Sequence, residues 1–574
     1  MTVADYFVQF LKQRQVSCVF QLSGGMIMHL IDALHQDGGI QMINVHHEQT
    51  SGFAAEVVGR LSGRPGVAIA TSGPGALNLL GGIASSYFDS SPAVYITGQV
   101  NTHEQKANSS VRQLGFQETD IVRMAAPISK MAVKVTRAVD VPRLLNEAFA
   151  VATAGRPGPV LLDLPMNLAR AFVAGAEPMR AACASAGPES QDDSAVVKVY
   201  EAILCGGRPM ILAGHGVRLG GAASALRSLS EKLRIPVVHS LLASDCIPYH
   251  SPVRFGMIGT YGNRWANHAL AVADPLIVIG SRLDIRQTGA DTSSFKGQRT
   301  IFHIDVELTE INNRVPGCCP VLMDAKTFLD GLCRVAEEQK TEAKTEWLET
   351  IESWRRQWPD TEENKSARGI NPNILMHKLS ENRKVAAYCV DVGLHQMWAG
   401  QSLEIYDEQR FITSGGLGAM GFALPAAVGA AAFYRNTQPV MVIAGDAGFQ
   451  LNIQELQTIR RYGMPVKMVV VNNGCHGMTR HFQDSYFSSR YPGTVWGYDA
   501  PSFAHVARAY GIRGLEAENM RSLTEAIEAM WRDPLEPILV DVKIDPAMTA
   551  YPKIAFGKPI NQMEPMARPN AMGK

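Results

Sequence analysis

The residues best placed to do chemistry are an aspartate and an asparagine, each at the end of an apolar run. Asp446 follows Pro439–Ala444 within Gly445-Asp446-Ala447-Gly448-Phe449, and Asn473 follows Val466–Val471 and Asn472. Both runs are too short and too β-branched for helices, so each is predicted as a buried strand of a parallel sheet. The segment between them, Gln454–Arg461, supplies one helical crossover. The two side chains are therefore expected together at the carboxyl edge of one sheet, where open α/β folds bind ligands. Two oxygen side chains with little other charge suit Mg²⁺, which takes one or two protein oxygens and fills its octahedron with phosphate and water. The same residues also fit an ordinary βαβ unit with Asp and Asn as helix caps.

A second carboxylate stands out near the N-terminus. Glu48 lies in His46-His47-Glu48-Gln49, between the predicted strand Gln41–Val45 and the predicted helix Ser51–Ser62. Taken alone, an acid at a helix N-terminus reads first as a cap favoured by the helix dipole. Gly73-Pro74-Gly75 reads as a tight turn whose small residues let backbone groups approach a ligand. Ser414–Ala427 begins glycine-rich and ends apolar. A glycine-lined helix start can accept phosphate through free N–H groups, and a helix packed closely on a sheet asks for the same residues.

The elements that must position these groups fall into three α/β blocks. Strands are predicted at Cys18–Gln21, Gln41–Val45, Gly66–Ala70, Ala93–Thr97 and Val160–Leu164 in the first block, residues 1–170. The second block, residues 190–337, has strands at Pro209–Ala213, Pro236–His239, Pro275–Ile279 and Thr300–Ile304. The third spans residues 371–545, and a proline-containing tail occupies 546–574. Strand and helix alternation signals doubly wound, mostly parallel sheets in all three. Ala171–Asp192 reads as a linker, and the charged stretch from Glu337 as a solvated helix or a second linker. The first and third blocks share a pattern of strand, Gly-rich turn and acidic tip residue, which predicts two related domains around a different one.

Composition narrows the function classes. At 574 residues the chain needs several cores. Its formal net charge of zero argues against a general nucleic-acid or anionic-membrane binder. No apolar run has membrane-spanning length. The nine cysteines are scattered without a Cys-x-x-Cys pair, which fits a reducing cytoplasm.

Combined, these motifs resemble the thiamine-diphosphate (ThDP) enzymes along nearly the whole chain. The run Glu48-Gln49, Gly52–Glu56, Gly59-Arg60 and Thr71–Asn78 is similar to their pyrimidine-binding domain. Gly445–Phe449 with Asn472-Asn473 is similar to their diphosphate-binding motif. The resemblance implies that Glu48 bonds the cofactor's pyrimidine nitrogen and promotes the imino tautomer. It implies a Mg²⁺ site of Asp446, Asn473 and the Cys475 carbonyl. It places Gly24, Gly25, Pro74, Asn78, Gly393, His395, Gln396, Gly418, Gly445, Ala447, Gly448, His476 and Met478 around ThDP, with Met420 wedged beneath its bend.

Within that family the chain is closest to the acetolactate synthase catalytic subunits. Phe116–Val122, Gly155–Val160, Gly280–Gly289 and Tyr551–Ile554 carry the likeness. It implies that Phe116 and Gln117 reach the active site, that Arg282 meets the acceptor carboxylate, and that the tail helps close the pocket. Those enzymes also hold a structural FAD in the middle domain. Gly214-His215-Gly216, Met257–Thr260, Arg282, Asp305 and Asp324 are the matching positions; an empty Rossmann-like domain is the competing reading. Five positions depart from the pattern: Met26 for a small residue, His46 for Arg, Met166 for Lys, Ile258 for His, and Phe482 for the acceptor-selecting Trp. Met26, Met166 and Phe482 are thus expected along the substrate channel. Two lost cations weaken the case for a free keto-acid acceptor.

The implied reaction is decarboxylation of pyruvate and transfer of the two-carbon unit to a carbonyl acceptor, giving 2-acetolactate if that acceptor is pyruvate. The alternatives are a nucleotide-linked ketosugar as acceptor, a 2-oxo acid decarboxylase or oxidase, and a non-catalytic cofactor-binding protein. The resemblance also implies a homodimer or homotetramer, with ThDP held between chains, and allows a regulatory subunit.

Overall fold

A computed structural model of the protein describes residues 1–106, 110–173, 193–338, 345–366 and 368–570. Its frame is three six-stranded sheets, every strand pairing in them parallel. The first holds β1 (Cys18–Gln21), β2 (Gln41–Asn44), β3 (Gly66–Ala70), β4 (Ala93–Gln99), β5 (Met131–Lys134) and β6 (Pro159–Pro165), in the order 2-1-3-4-6-5. The second holds β7 (Met210–Ala213), β8 (Val237–His239), β9 (Arg254–Met257), β10 (Leu276–Ile279), β11 (Ile301–Asp305) and β12 (Cys319–Leu322). Its order is 12-11-10-7-8-9. The third holds β13 (Ala387–Val390), β14 (Arg410–Thr413), β15 (Val440–Gly445), β16 (Val466–Asn472), β17 (Arg513–Ala517) and β18 (Ile538–Lys543), ordered 14-13-15-16-18-17.

Counted from its own first strand, the third sheet repeats the winding of the first. The shared pattern of strands and tip residues in the sequence thus has a counterpart in topology. The middle sheet, counted the same way, has the 3-2-1-4-5-6 order of dinucleotide-binding folds. Its order reverses between β7 and β10, where two βα turns meet at glycines. A methyl on Gly214 would lie 2.1 Å from the Gly280 carbonyl oxygen, and one on Gly216 would lie 2.7 Å from the Gly280 Cα.

Most strands form where short β-branched runs can be buried on both faces: β15 and β16 are buried along their whole length. In the first two sheets three strands were not expected, and all three belong to sheet margins; in the third sheet only β15 and β16 were singled out, and β13, β14, β17 and β18 were not. β5 and β9 are the terminal strands of their sheets, and so is β12. An edge strand needs less apolar cover, so Met131–Lys134, Arg254–Met257 and Cys319–Leu322 carry Lys, Arg, Gly and Pro that mask their periodicity. The linker expectation for Ala171–Asp192 lies, from residue 174 onward, outside the described residues, as does that for the charged stretch beyond residue 338.

The first and third units pack through two helices, Glu48–Ser62 and Ala423–Phe433. They share one core, in which the Phe53 and Phe422 rings meet edge to face at 5.2 Å. The crossing is tight enough that a methyl on Gly429 would lie 2.5 Å from the Ala54 carbonyl oxygen. A buried polar network ties the same joint. Arg60 donates to Glu56, to Asp89 Oδ2 at 2.6 Å and to the Thr413 carbonyl at 2.8 Å. Asp89 also accepts the Gly415 and Gly416 N–H groups at 3.0 and 2.6 Å. The tail packs on the middle unit, with Ile554, Ile560 and Met563 inside its core. Among the described residues no helix is long and apolar enough to cross a membrane.

Candidate functional site

The third sheet gathers one set of side chains at its carboxyl edge. Gly445 pairs with Val471, so the parallel register brings the ends of β15 and β16 level. A cavity of about 390 Å³ opens there. It is lined by Gly393, His395, Gln396, Gly418, Met420, Gly445, Asp446, Ala447, Gly448, Asn473, Cys475, His476 and Met478. These thirteen positions, spread from 393 to 478, are the ones singled out in this unit apart from Phe482.

Asp446 begins the short helix Asp446–Gln450 and is buried. Burial pushes its pKa up to about 6, against the pull of nearby backbone N–H groups. Its Oδ2 has no hydrogen-bond partner among the described residues. A buried carboxylate oxygen left unmatched is costly, and a cation beside it removes the cost. Asn473 is buried alongside, its Oδ1 accepting the Cys475 N–H at 3.3 Å. This single-carboxylate donor set fits Mg²⁺ bound with phosphate oxygens and water. His395 is also buried, and burial lowers its pKa to about 3, so the ring is neutral. Methyls on Gly393 or Gly445 would lie 2.7 or 2.9 Å from its Cε1, so both glycines are required by the ring.

Three residues of this region were given no role of their own by the sequence reading. Asp391 accepts the Val392 N–H at 2.7 Å and the Gly421 N–H at 3.0 Å, fixing the turn that follows Gly418 and Met420. Its place at the end of β13, matching Asp446 at the end of β15, was the available signal. Tyr261 and Arg286 reach the cavity from the middle unit. Nothing in local spacing could have joined residues so distant in sequence. Arg282 lines only the middle cavity, its guanidinium 3.8 Å from Asp284, whereas Arg286 lies one turn on in helix Ile285–Thr288 and lines both cavities.

The first sheet gathers a second set around Thr71. Glu48 opens helix Glu48–Ser62, is buried, and accepts from Asn78 Nδ2 at 3.0 Å through its Oε2. A methyl on Gly75 would lie 3.1 Å from Glu48 Oε1, and one on Gly24 would lie 2.4 Å from Thr71 Cβ. Gly73 has φ +61° and rests against Gln117, itself at φ +67°. Pro74 starts the next helix at a position where a missing N–H costs nothing. Gly25 faces open space. Phe116 is 79% exposed. Met26 lies under Gly98, and Met166 starts a short helix at the end of β6. Phe482 packs on Tyr486 and Phe487 at 4.9 and 5.8 Å. None of these first-unit residues, nor Phe482, lines the Asp446 cavity.

The middle sheet carries a second cavity, of about 570 Å³, at its switch point, lined by Gly216, Arg282, Asp305 and Asp324 among others. Asp305 ends β11, and Asp324 accepts the N–H groups of Lys326 and Thr327 at 3.0 Å each. His215 lines it, half-buried, with its own Nε2 buried and unpartnered among the described residues.

Comparison with known proteins agrees with this division. The thiamine pyrophosphate enzyme N-terminal TPP binding domain matches residues 1–124, the central domain 196–332 and the C-terminal TPP binding domain 391–542. The acetolactate synthase large subunit of Lactococcus lactis subsp. lactis (strain IL1403) is 34% identical over 558 residues, covering 97% of this chain and 95% of its own. That of Parasynechococcus marenigrum (strain WH8102) is 34% identical over 565 residues, covering 96% and 89%. A probable acetolactate synthase large subunit of Methanocaldococcus jannaschii is 34% identical over 580 residues, covering 97% and 94%.

Proposed function

The chain belongs to the thiamine pyrophosphate enzymes, and on that premise we propose that it is a ThDP- and Mg²⁺-dependent carboligase. It decarboxylates pyruvate and joins the remaining two-carbon unit to the carbonyl of an acceptor, giving 2-acetolactate when the acceptor is pyruvate. The observation that carries this reading is the buried, half-unpartnered Asp446 carboxylate beside Asn473, in a glycine-lined cavity at a sheet's carboxyl edge.

Bound ThDP would supply a carbanion and an electron sink. The chain's part is to hold, orient and move protons. Asp446, Asn473 and the Cys475 carbonyl would hold Mg²⁺ and, through it, the diphosphate. Met420 and the glycines at 393, 418, 445 and 448 would shape the bed beneath the cofactor. Glu48, oriented by Asn78 in a shielded position, would exchange a proton with the pyrimidine ring nitrogen. The Arg286 guanidinium, on the cavity wall, would orient a 2-oxo acid by its carboxylate. Phe116, Gln117, Met26, Met166 and Phe482 would border the acceptor's path.

No described residue of the first unit lines the Asp446 cavity. We therefore propose that the Glu48 cluster of one copy meets the metal side of a second copy, making a dimer the smallest active form. The middle cavity is proposed to take FAD: it has the dinucleotide strand order, a glycine-tight turn at the switch point and an unpartnered buried ring nitrogen on His215.

The test is product analysis with labelled pyruvate, ThDP and Mg²⁺ across a panel of acceptors. Labelled CO₂ with a joined product is expected. Release of free aldehyde alone would make the enzyme a decarboxylase, and no CO₂ from any 2-oxo acid would refute the reading. The visible absorption spectrum of the purified protein checks the flavin.

A further inference from the structure

A separate cavity of about 430 Å³ lies between the middle and third units. It shares no lining residue with the two cavities above. Its walls include Tyr249, Arg254, Trp265, Arg355 and Gln401.

Arg254, the first residue of β9, is 8% exposed, and its Nε has no partner. Among the described residues its guanidinium makes no ion pair, although an Arg so buried almost always has one. A second guanidinium worsens its situation. The Cζ atoms of Arg254 and Arg355 lie 5.3 and 5.6 Å from the centroid of the one Tyr249 ring. Burial and the charge of Arg355 lower the Arg254 pKa to about 10, which still leaves it charged at neutral pH.

The carboxylates nearby offset this charge only in part: burial and Arg355 outweigh the pull of Glu404 and Asp360, and neither carboxylate that lines the cavity pairs with Arg254. Asp360 is held by His377 Nε2 at 3.0 Å. Glu352 lies 3.9 Å from Arg355 and is substantially exposed. The neighbouring amides are committed as well. Asn263 Nδ2 donates to the Gln401 carbonyl and its Oδ1 accepts the Met257 N–H, while Gln401 Nε2 donates to the Tyr261 carbonyl. Arg254 is thus the open donor of a built pocket, with Arg355 beside it.

We propose that this cavity binds a small oxyanion, a phosphate or a carboxylate, between Arg254 and Arg355. A planar guanidinium matches either group with paired N–H donors. The anion offsets both the burial of Arg254 and the repulsion between the two cations. It would sit against the C-terminal part of helix Leu394–Ser402, whose first residues line the Asp446 cavity.

The test is calorimetric titration of the full-length protein, saturated with ThDP and Mg²⁺, with inorganic phosphate and separately with malonate. Sodium chloride at matched ionic strength is the control. Saturable binding of phosphate identifies a phosphate site, and saturable binding of malonate identifies a carboxylate site. In Arg254→Gln and in Arg355→Gln the affinity is expected to fall by about tenfold or more. Arg355 is partly exposed, so its variant serves as the decisive one should Arg254→Gln fail to fold. Absence of saturable binding by either anion, or equal affinity in wild type and Arg355→Gln, overturns the proposal.

Discussion

At the scale of single residues, the proposed site divides into a proton-handling acid, Glu48, and a metal-holding acid, Asp446. Glu48→Gln keeps the shape and the Asn78 contact region but cannot exchange a proton. It is expected to bind ThDP and to lose about 10²–10⁴-fold in turnover, with the C2 proton of the bound cofactor exchanging slowly by NMR. Unchanged exchange would remove Glu48 from its role. Asp446→Asn replaces the one carboxylate of the metal set. The Mg²⁺ concentration for half-maximal activity should rise about tenfold or more, measured by titrating the metal at fixed ThDP. Asp446 was legible in the sequence because it follows a short buried strand with glycines around it, whereas Glu48 follows a mostly unburied edge strand and stood out only through the family likeness of its surroundings. Arg286 and Tyr261 were not legible, because what brings them to the cavity is the packing of the middle unit, which no local spacing encodes.

At the scale of elements, tight helix contacts and one half-buried ionic cluster govern stability. A methyl at Gly429 would press on the Ala54 carbonyl oxygen at 2.5 Å, a backbone atom that cannot swing aside. Gly429→Ala should therefore destabilise by about 1–3 kcal/mol, read as a lower denaturation midpoint. His377, in helix Pro372–Ser380, is gripped by Asp360 and Glu404 at 3.0 and 2.9 Å. Burial alone would lower its pKa, but the hydrogen bonds and charges of these two acids outweigh it and carry it up to about 9. A histidine whose folded pKa is raised contributes stability that is full below its unfolded value and is lost as pH climbs through the folded one. The melting temperature of the wild type should thus fall relative to His377→Gln between about pH 6.5 and 9. Parallel curves would contradict the assignment. Strands such as β15 and β16 could be read from their apolar runs, whereas β5, β9 and β12 could not, since a margin strand is free to be partly polar; β13 and β18, inside the third sheet, were not singled out.

At the scale of the whole molecule, the Glu48 and Asp446 sites sit on different sheets of one chain, and Glu48 does not line the Asp446 cavity. If a working site takes one from each copy, two dead variants can complement. Mixing Glu48→Gln with Asp446→Asn chains after dissociation should restore about a quarter of wild-type activity, because half of randomly paired dimers then hold one intact site of two. No recovery would mean that each chain works alone. The division into three α/β units was legible from alternating strands and helices. The sharing of one core between the first and third units was not, because that core is assembled from helices 370 residues apart along the chain (roughly, by their midpoints).

That shared core has a mechanical consequence. Glycines at the crossing leave no slack, the Phe53 and Phe422 rings interlock, and Arg60 and Asp89 stitch the seam from within. A seam so filled behaves as a weld and not as a hinge, since close-packed interiors resist gradual deformation. Substrate entry therefore cannot depend on the outer units parting within a chain. Any breathing that admits a bulky molecule must come from the middle unit, the tail strapped to it, or the contact with a second copy.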